Sequence, residues 1–284
     1  MSTAVVVMAY GSPERLEDVP AYFSDIRGGR PVRPEAVEEL VERYRRVGPS
    51  PLNRITEAQR AGLEAELGLP VYAGMKHWEP RIQTAAERAV ADGADRVVGL
   101  VLAPHYSRLS VGDYRERLTG ALNGTPLTMI ESWHDHGPFL DLVADRIRGT
   151  DAHVVFTAHS LPERILAEGD PYRDQLLETA RLAAERAGVE RWSLAFQSES
   201  ATGEPWLGPD ILPHLEELHA AGVEKVLAAP IGFVADHLEI LWDIDVEARD
   251  KAAELGLELD RIESMNDDPR FTAALADLVR SRLA

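Results

Sequence analysis

Twice in this chain an apolar run of strand length ends in almost the same phrase, "VVVMAYGSPERL" at 5–16 and "VVFTAHSLPERI" at 154–165. A repeat at half-chain spacing constrains the fold more than any single motif, because each copy needs an equivalent buried place. A second echo supports the first: "GADRVVGLVLAP" at 93–104 and "GVEKVLAAP" at 222–230 both read as a Gly-stopped helix, a charged pair and a strand ending Ala-Pro. Apolar runs at 4–9, 70–74, 97–103, 127–131, 153–158, 192–196, 225–230 and 258–262 alternate with segments of helical period at 35–47, 55–67, 80–92, 112–122, 171–187 and 211–221. Strands apolar on both faces and separated by helices predict an α/β protein with parallel sheets. The expected organisation is two α/β halves, 1–149 and 150–267, with a final helix over 268–284 packing back on the first.

At 284 residues, 45% hydrophobic and 27% charged, the chain can bury a globular core. The formal charge of -18 argues against a nucleic-acid surface, which needs clustered Lys and Arg. The apolar stretch at 4–9 has no basic residue before it; it is too short to span a membrane and wrongly built for a secretory signal. A cytoplasmic protein is the expectation. There is no cysteine, which removes disulfides, thiolate nucleophiles and iron–sulfur clusters held by protein thiolates. Any metal must be met by His, Asp, Glu or Tyr.

Ligands of open α/β sheets bind beyond the carboxyl ends of the strands. Tyr10, His77, His105, His159 and the stretch "IGFVADHLE" at 231–239 all fall at that edge, where two facing halves would enclose a cleft. A strand-end histidine such as His159 either caps a turn or uses its near-neutral pKa to take a proton or meet a metal. On a helix over 233–250, Asp236, Glu239, Asp243 and Glu247 share one face, where like charges four apart cost about 0.2–0.5 kcal/mol per pair. Such a row is either a solvated face or a ladder of hard oxygen ligands for a divalent cation. His237 and Glu239 lie about 200° apart on a regular helix, so both face one small site only if the helix is locally widened. Lys76 beside Trp78 would suit a flat anionic ligand. Arg27, Arg30, Arg33, Ser50, Asn53 and Arg54 lie in Gly/Pro-rich loops that could contact anions, each weak alone. No G-x-S-x-G, P-loop or G-x-G-x-x-G accompanies these residues.

Taken in order, "MAYGSPE", "DIRGGR", "SPLNRIT", "GMKHWEP", "LAPHYS", "ESWHD", "TAHSLPE", "DPY", "QSE", "PWLGPD" and "PIGFVADHLEILWDID" resemble the ferrochelatase family over essentially the whole chain. The Tyr of "MAYGSP" is most like the bacterial branch that metallates coproporphyrin III. The resemblance implies two Rossmann-like halves closing on a porphyrin cleft, with Fe²⁺ as substrate and no organic cofactor. Carried over by motif, His159 and Glu239 face the tetrapyrrole centre as base and metal ligands, the sequence not saying which is the base. Tyr10 coordinates product iron from the other side of the ring, and His77 is an additional ligand. Asp243 and Glu247, with Arg43 nearby, correspond to an outer divalent site such as Mg²⁺ would fill. Tyr10, Arg27, Arg30, Ser50, Lys76, Tyr106 and Trp206 correspond to porphyrin contacts. The family pattern further implies a monomer handing coprohaem to a decarboxylase.

Family members often carry two arginines after the isoleucine of "DIR", whereas here Gly28 follows Arg27. The loop before "SPLN" is one residue short, and a chain without cysteine cannot bind the [2Fe-2S] cluster of some relatives. The alternatives are a protoporphyrin IX or other-metal chelatase of the same fold and, in another class, a porphyrin or haem carrier without turnover. A carrier would need neither a proton acceptor nor a cation route.

Overall fold

The computed structural model describes residues 2–199 and 203–283. Strands β1 (Thr3–Ala9), β2 (Val71–Met75), β3 (Arg96–Val101) and β4 (Leu127–Ile130) form one parallel sheet in the order β2-β1-β3-β4. Strands β5 (His153–His159), β6 (Trp192–Gln197), β7 (Lys225–Pro230) and β8 (Glu258–Arg261) form a second, in the order β6-β5-β7-β8. The duplicated phrases thus lead to equivalent places: β1 and β5 are the first strand of each half, and the echoed β3 and β7 are their neighbours.

The first half carries helices α1 (Val19–Ile26), α2 (Pro34–Val47), α3 (Leu52–Leu67), α4 (Ile82–Ala91), α5 (Asp113–Ala121) and α6 (Gly137–Ile147). The second carries α7 (Arg164–Ala167), α8 (Tyr172–Ala187), α9 (Ile211–Ala220), α10 (Leu238–Trp242) and α11 (Arg249–Leu255), followed by α12 (Pro269–Leu283). Local chemistry sets the starts: Pro34 opens α2, where its missing N–H costs nothing, and the Asp210 carboxylate accepts the Leu212 N–H at the start of α9.

Alternation along β1 explains why the run is apolar throughout. Val5 and Val7 point to one side, into a core that also contains Phe139 of α6, Phe156 of β5 and Phe271 of α12. Ala4, Val6 and Met8 point to the other, against Ile82, Ala85 and Leu118. In β5, Val154 and Phe156 face the core shared with β1, and Val155 faces Ile211 and Ile244. The sheets are therefore joined through one continuous apolar layer. Helix α12 lies against α3 and α6: the Arg280 guanidinium donates to the Glu66 carbonyl at 2.6 Å, and Arg96 of β3 donates to the carbonyl of Arg282.

The acidic stretch departs from the single helix expected over 233–250. Residue His237 is extended (φ -158°, ψ -178°), α10 begins at Leu238, and a π-helical segment, Asp243–Ala248, joins it to α11.

Candidate active site

Both sheets present their carboxyl ends to one cleft of about 570 Å³. Its wall includes Tyr10 and Ser12 after β1, Lys76 after β2, His105 after β3, His159 at the end of β5, and Phe233, Glu239 and Asp243 from the segment after β7, with α2 bordering it through Leu40 and Arg43.

At the centre, His159 Nε2 stands 3.8 Å from one oxygen of Glu239, whose other oxygen is 3.6 Å from His237 Nε2. Both rings reach the carboxylate because His237 precedes the helix in extended backbone; the π segment begins further along and is not what brings them together. Each ring is oriented from behind. His237 Nδ1 donates to the Ala235 carbonyl at 2.9 Å, and His159 Nδ1 donates to the Ser160 carbonyl. A carbonyl only accepts, so Nδ1 of His159 carries a proton, and Nε2 is the nitrogen turned toward Glu239. Gln197 steadies the helix start by donating from Nε2 to the Glu239 carbonyl at 2.8 Å.

The electrostatics separate two neighbouring carboxylates. Burial opposes charge on Glu239, but His159, the His237 bond and Arg43 outweigh it and hold the group down at about 2. Asp243 is pushed up to about 7, first by burial and then by the charges of Glu239 and Glu247, against the Ser198 hydroxyl bonded to it and Arg43. His237 is disfavoured as a cation by burial, yet its bond to Glu239 raises its pKa on balance. Enclosure, then the charge of Glu239, keeps the Tyr10 phenol protonated well above neutrality.

Several expected residues reach the wall and others do not. Lys76 is buried there, bonded to Asp113 at 2.7 Å, with its ammonium 6.0 Å from the Tyr10 ring and 5.2 Å from the Tyr114 ring. His77, expected as a metal ligand, instead sits behind Tyr10: the ring centroids are 4.6 Å apart and Nδ1 is bonded to Asp25 at 2.8 Å. Burial lowers its pKa despite that carboxylate. Arg27 and Arg30 are exposed on the loop after α1, off the cleft wall. Ser50 accepts the Leu52 N–H at 3.4 Å at the start of α3 and is not on the wall; among the hydroxyls that are is Ser12, whose backbone exchanges two hydrogen bonds with the Asn53 side chain. Tyr106 packs into the first half's core, and the Trp206 ring centre lies 6.4 Å from that of His159.

The acidic ladder is two groups rather than four in a row. Asp236 belongs to a separate knot, accepting from Arg261 (3.1 Å), Ser264 (2.7 Å) and Asn266 (2.9 Å). Asp243 and Glu247 line a smaller cavity of about 140 Å³ with Arg43, Gln197, Ser198 and Asp210; Arg43 and Glu247 are 3.8 Å apart. Among the described residues, no three His, Asp or Glu groups converge to hold a metal by themselves. Sequence reasoning also assigned no role to Tyr172, although its "DPY" motif was the available signal; it lines the cleft and bonds the His159 backbone.

Two glycines permit this closeness. Gly11 has φ +82°, and a Cβ there would lie 2.7 Å from Trp78 Cβ; a Cβ on Gly232 would lie 2.6 Å from that of Ala158, one residue before His159. Gly232→Ala is expected to push the post-β7 segment off the end of β5, costing about 1–3 kcal/mol and moving Glu239 away from His159. Thermal unfolding together with activity checks this; an unchanged Tm would contradict the close approach.

The comparisons with known proteins agree with the architecture and extend it. A family model described as Ferrochelatase matches residues 2–283. A ferrochelatase of Herpetosiphon aurantiacus is 46% identical, covering 98% of each chain, and a coproporphyrin III ferrochelatase of Geobacillus thermodenitrificans is 41% identical over 100% of this chain and 96% of its own. Among solved structures, SirB from Bacillus subtilis with Fe³⁺ superposes with a TM-score of 0.67 over 99% of this chain and 95% of its own. At 14% identity that likeness shows the fold alone. Fold, motifs and relatives coincide over nearly the full length, and the chain belongs to the ferrochelatase family, enzymes that insert iron into porphyrins.

Proposed function

We propose that this chain inserts Fe²⁺ into coproporphyrin III, giving coprohaem and two protons. The observation that carries the reading is the His159–Glu239 pair on the wall of a cleft that also bears Tyr10. The cleft volume falls within the roughly 300–1,000 Å³ of small-molecule sites. The choice of porphyrin rests on the Tyr10 motif and on relatives named coproporphyrin III ferrochelatase. Protoporphyrin IX is the second reading, because other relatives are named only ferrochelatase.

Metallation needs a base for each pyrrole N–H and ligands that hold the cation only moderately. His159 Nε2 takes the two pyrrole protons one after the other, releasing each to solvent, and Glu239, ionised through the working range, meets the cation and stabilises the transient imidazolium. A cleft that favours a bent ring exposes the nitrogen lone pairs and lowers the barrier. Tyr10 then caps the iron from the opposite face. The reading includes a cytoplasmic monomer that passes coprohaem to a decarboxylase, as the resemblance implies.

Anaerobic Fe²⁺ with each porphyrin, followed by absorbance, tests the reading. Faster metallation of coproporphyrin III is expected; equal rates would remove the branch assignment, and tight binding without metallation would leave a carrier.

The small cavity of Asp243 and Glu247 is proposed as an outer site for a divalent cation such as Mg²⁺. Below pH 7 Asp243 is a neutral, poor ligand and above it an anion, so the cation concentration giving half-effect should fall about tenfold between pH 6 and 8. Asp243→Asn with Glu247→Gln should weaken that metal dependence more than porphyrin affinity. A flat pH response and an unchanged double variant would return these residues to the solvated-face reading.

A further inference from the structure

We propose that Tyr172 is a positioning residue for His159, a role that rests on the assignment of His159 made above. Tyr172 opens α8 and is buried on the cleft wall, its hydroxyl donating to the His159 carbonyl at 3.0 Å. The need for such a donor follows from the sheet. Strand β5 pairs with β7 only as far as Thr157 opposite Pro230, two residues short of His159, because the chain then turns through Ile231 and Gly232, whose N–H groups both reach Thr157. A hydroxyl from another element takes over where the ladder stops.

On the other edge of β5, the Ser160 N–H donates to the Gln197 carbonyl at 2.8 Å. The peptide joining His159 to Ser160 is thus held at its oxygen by Tyr172 and at its nitrogen by Gln197. The imidazole follows this peptide, because Nδ1 donates to the next carbonyl, that of Ser160, whose own hydroxyl is tied to the Leu207 carbonyl at 2.7 Å. Gln197 is bound at the same time to the Glu239 carbonyl through its side chain. The separation of Nε2 from the Glu239 carboxylate is therefore set by a peptide plane with two anchors, and Tyr172 is the anchor that comes from outside the sheet.

Tyr172 is itself fixed. Asp170 accepts its N–H at 3.1 Å, and the other Asp170 oxygen accepts the Ser107 hydroxyl at 3.0 Å and the Arg108 N–H at 2.8 Å, both from the first half. The ring stands edge-on to His105, with centroids 6.3 Å apart and planes at 89°. The phenol thus carries the placement of the first half's post-β3 loop to the histidine at the end of β5.

Tyr172→Phe removes the donor and keeps the ring. In anaerobic assays of the intact protein with Fe²⁺ and coproporphyrin III, kcat should fall about 10- to 100-fold while the porphyrin KM stays within about twofold of wild type. Tm should stay close to wild type. His159→Ala, measured alongside, separates the two claims. Wild-type kcat in Tyr172→Phe with an inactive His159→Ala would overturn the positioning role alone; an active His159→Ala would overturn the assignment of His159 and this role with it. A Tyr172→Phe chain that fails to fold, or whose porphyrin affinity and Tm fall together with kcat, would assign the hydroxyl to the fold and likewise overturn the proposal.

Discussion

His159→Ala is expected to slow iron insertion by about 10²- to 10⁴-fold, the usual contribution of a positioned acid or base, with porphyrin affinity largely kept. The asymmetry follows from placement. The imidazole is one contact among many on a long wall that includes Leu40, Tyr10 and Phe233, so ring binding survives its loss. Among the described residues, the other imidazole beside Glu239 does not replace its chemistry: His237 meets the other oxygen of the Glu239 carboxylate, with Nδ1 committed to the Ala235 carbonyl. Absorbance for turnover and fluorescence quenching for binding separate the two effects. Loss of affinity in step with rate would mean that His159 merely holds the ring.

Glu239→Gln is the second large effect, at least about 10²-fold in kcat, because an amide of the same shape neither meets the cation as an anion nor stabilises a charged His159. It should also register away from the reaction. Glu239 charge is the second cause, after burial, of the raised Asp243 pKa, so the variant should lower that pKa from about 7 and shift the outer-site pH response downward. The acid limb of stability changes too. A carboxylate held at about 2 against an ordinary 4.5 stabilises the fold fully above pH 4.5, and the benefit drains away as pH falls toward 2. Wild type should therefore lose stability over that window where Glu239→Gln loses less, and denaturant unfolding at pH 6 and pH 3 would show it.

How much of this was legible depends on where the information lies. The central strands are readable because burial on both faces leaves a run such as Val5–Met8 no polar positions, and the duplicated phrase anticipates two similar halves, each built on a parallel sheet. The segment after β7 was not, because its shape is imposed from afar: Arg261, Ser264 and Asn266 hold Asp236 about 30 residues down the chain and keep His237 out of the helix. Periodicity cannot register such contacts, so a row of four carboxylates was expected where the fold separates Asp236 from the other three. The same limit applies to His77, which a motif could point to but only tertiary packing could place behind Tyr10 against Asp25. Helix α6 shows no clean helical stripe in the sequence, because its buried residues Phe139, Leu140, Leu142 and Val143 fill more than one face, against α8 and α12.

The central claim is that His159 and Glu239 act as one unit on the ring, and a double-mutant cycle addresses it most directly. Single-turnover metallation of coproporphyrin III by wild type, His159→Ala, Glu239→Gln and the double variant gives the coupling between them. The account predicts that the double variant is slowed little more than the worse single one, because either substitution already breaks the unit. Losses that simply multiply would show two independent groups and contradict it.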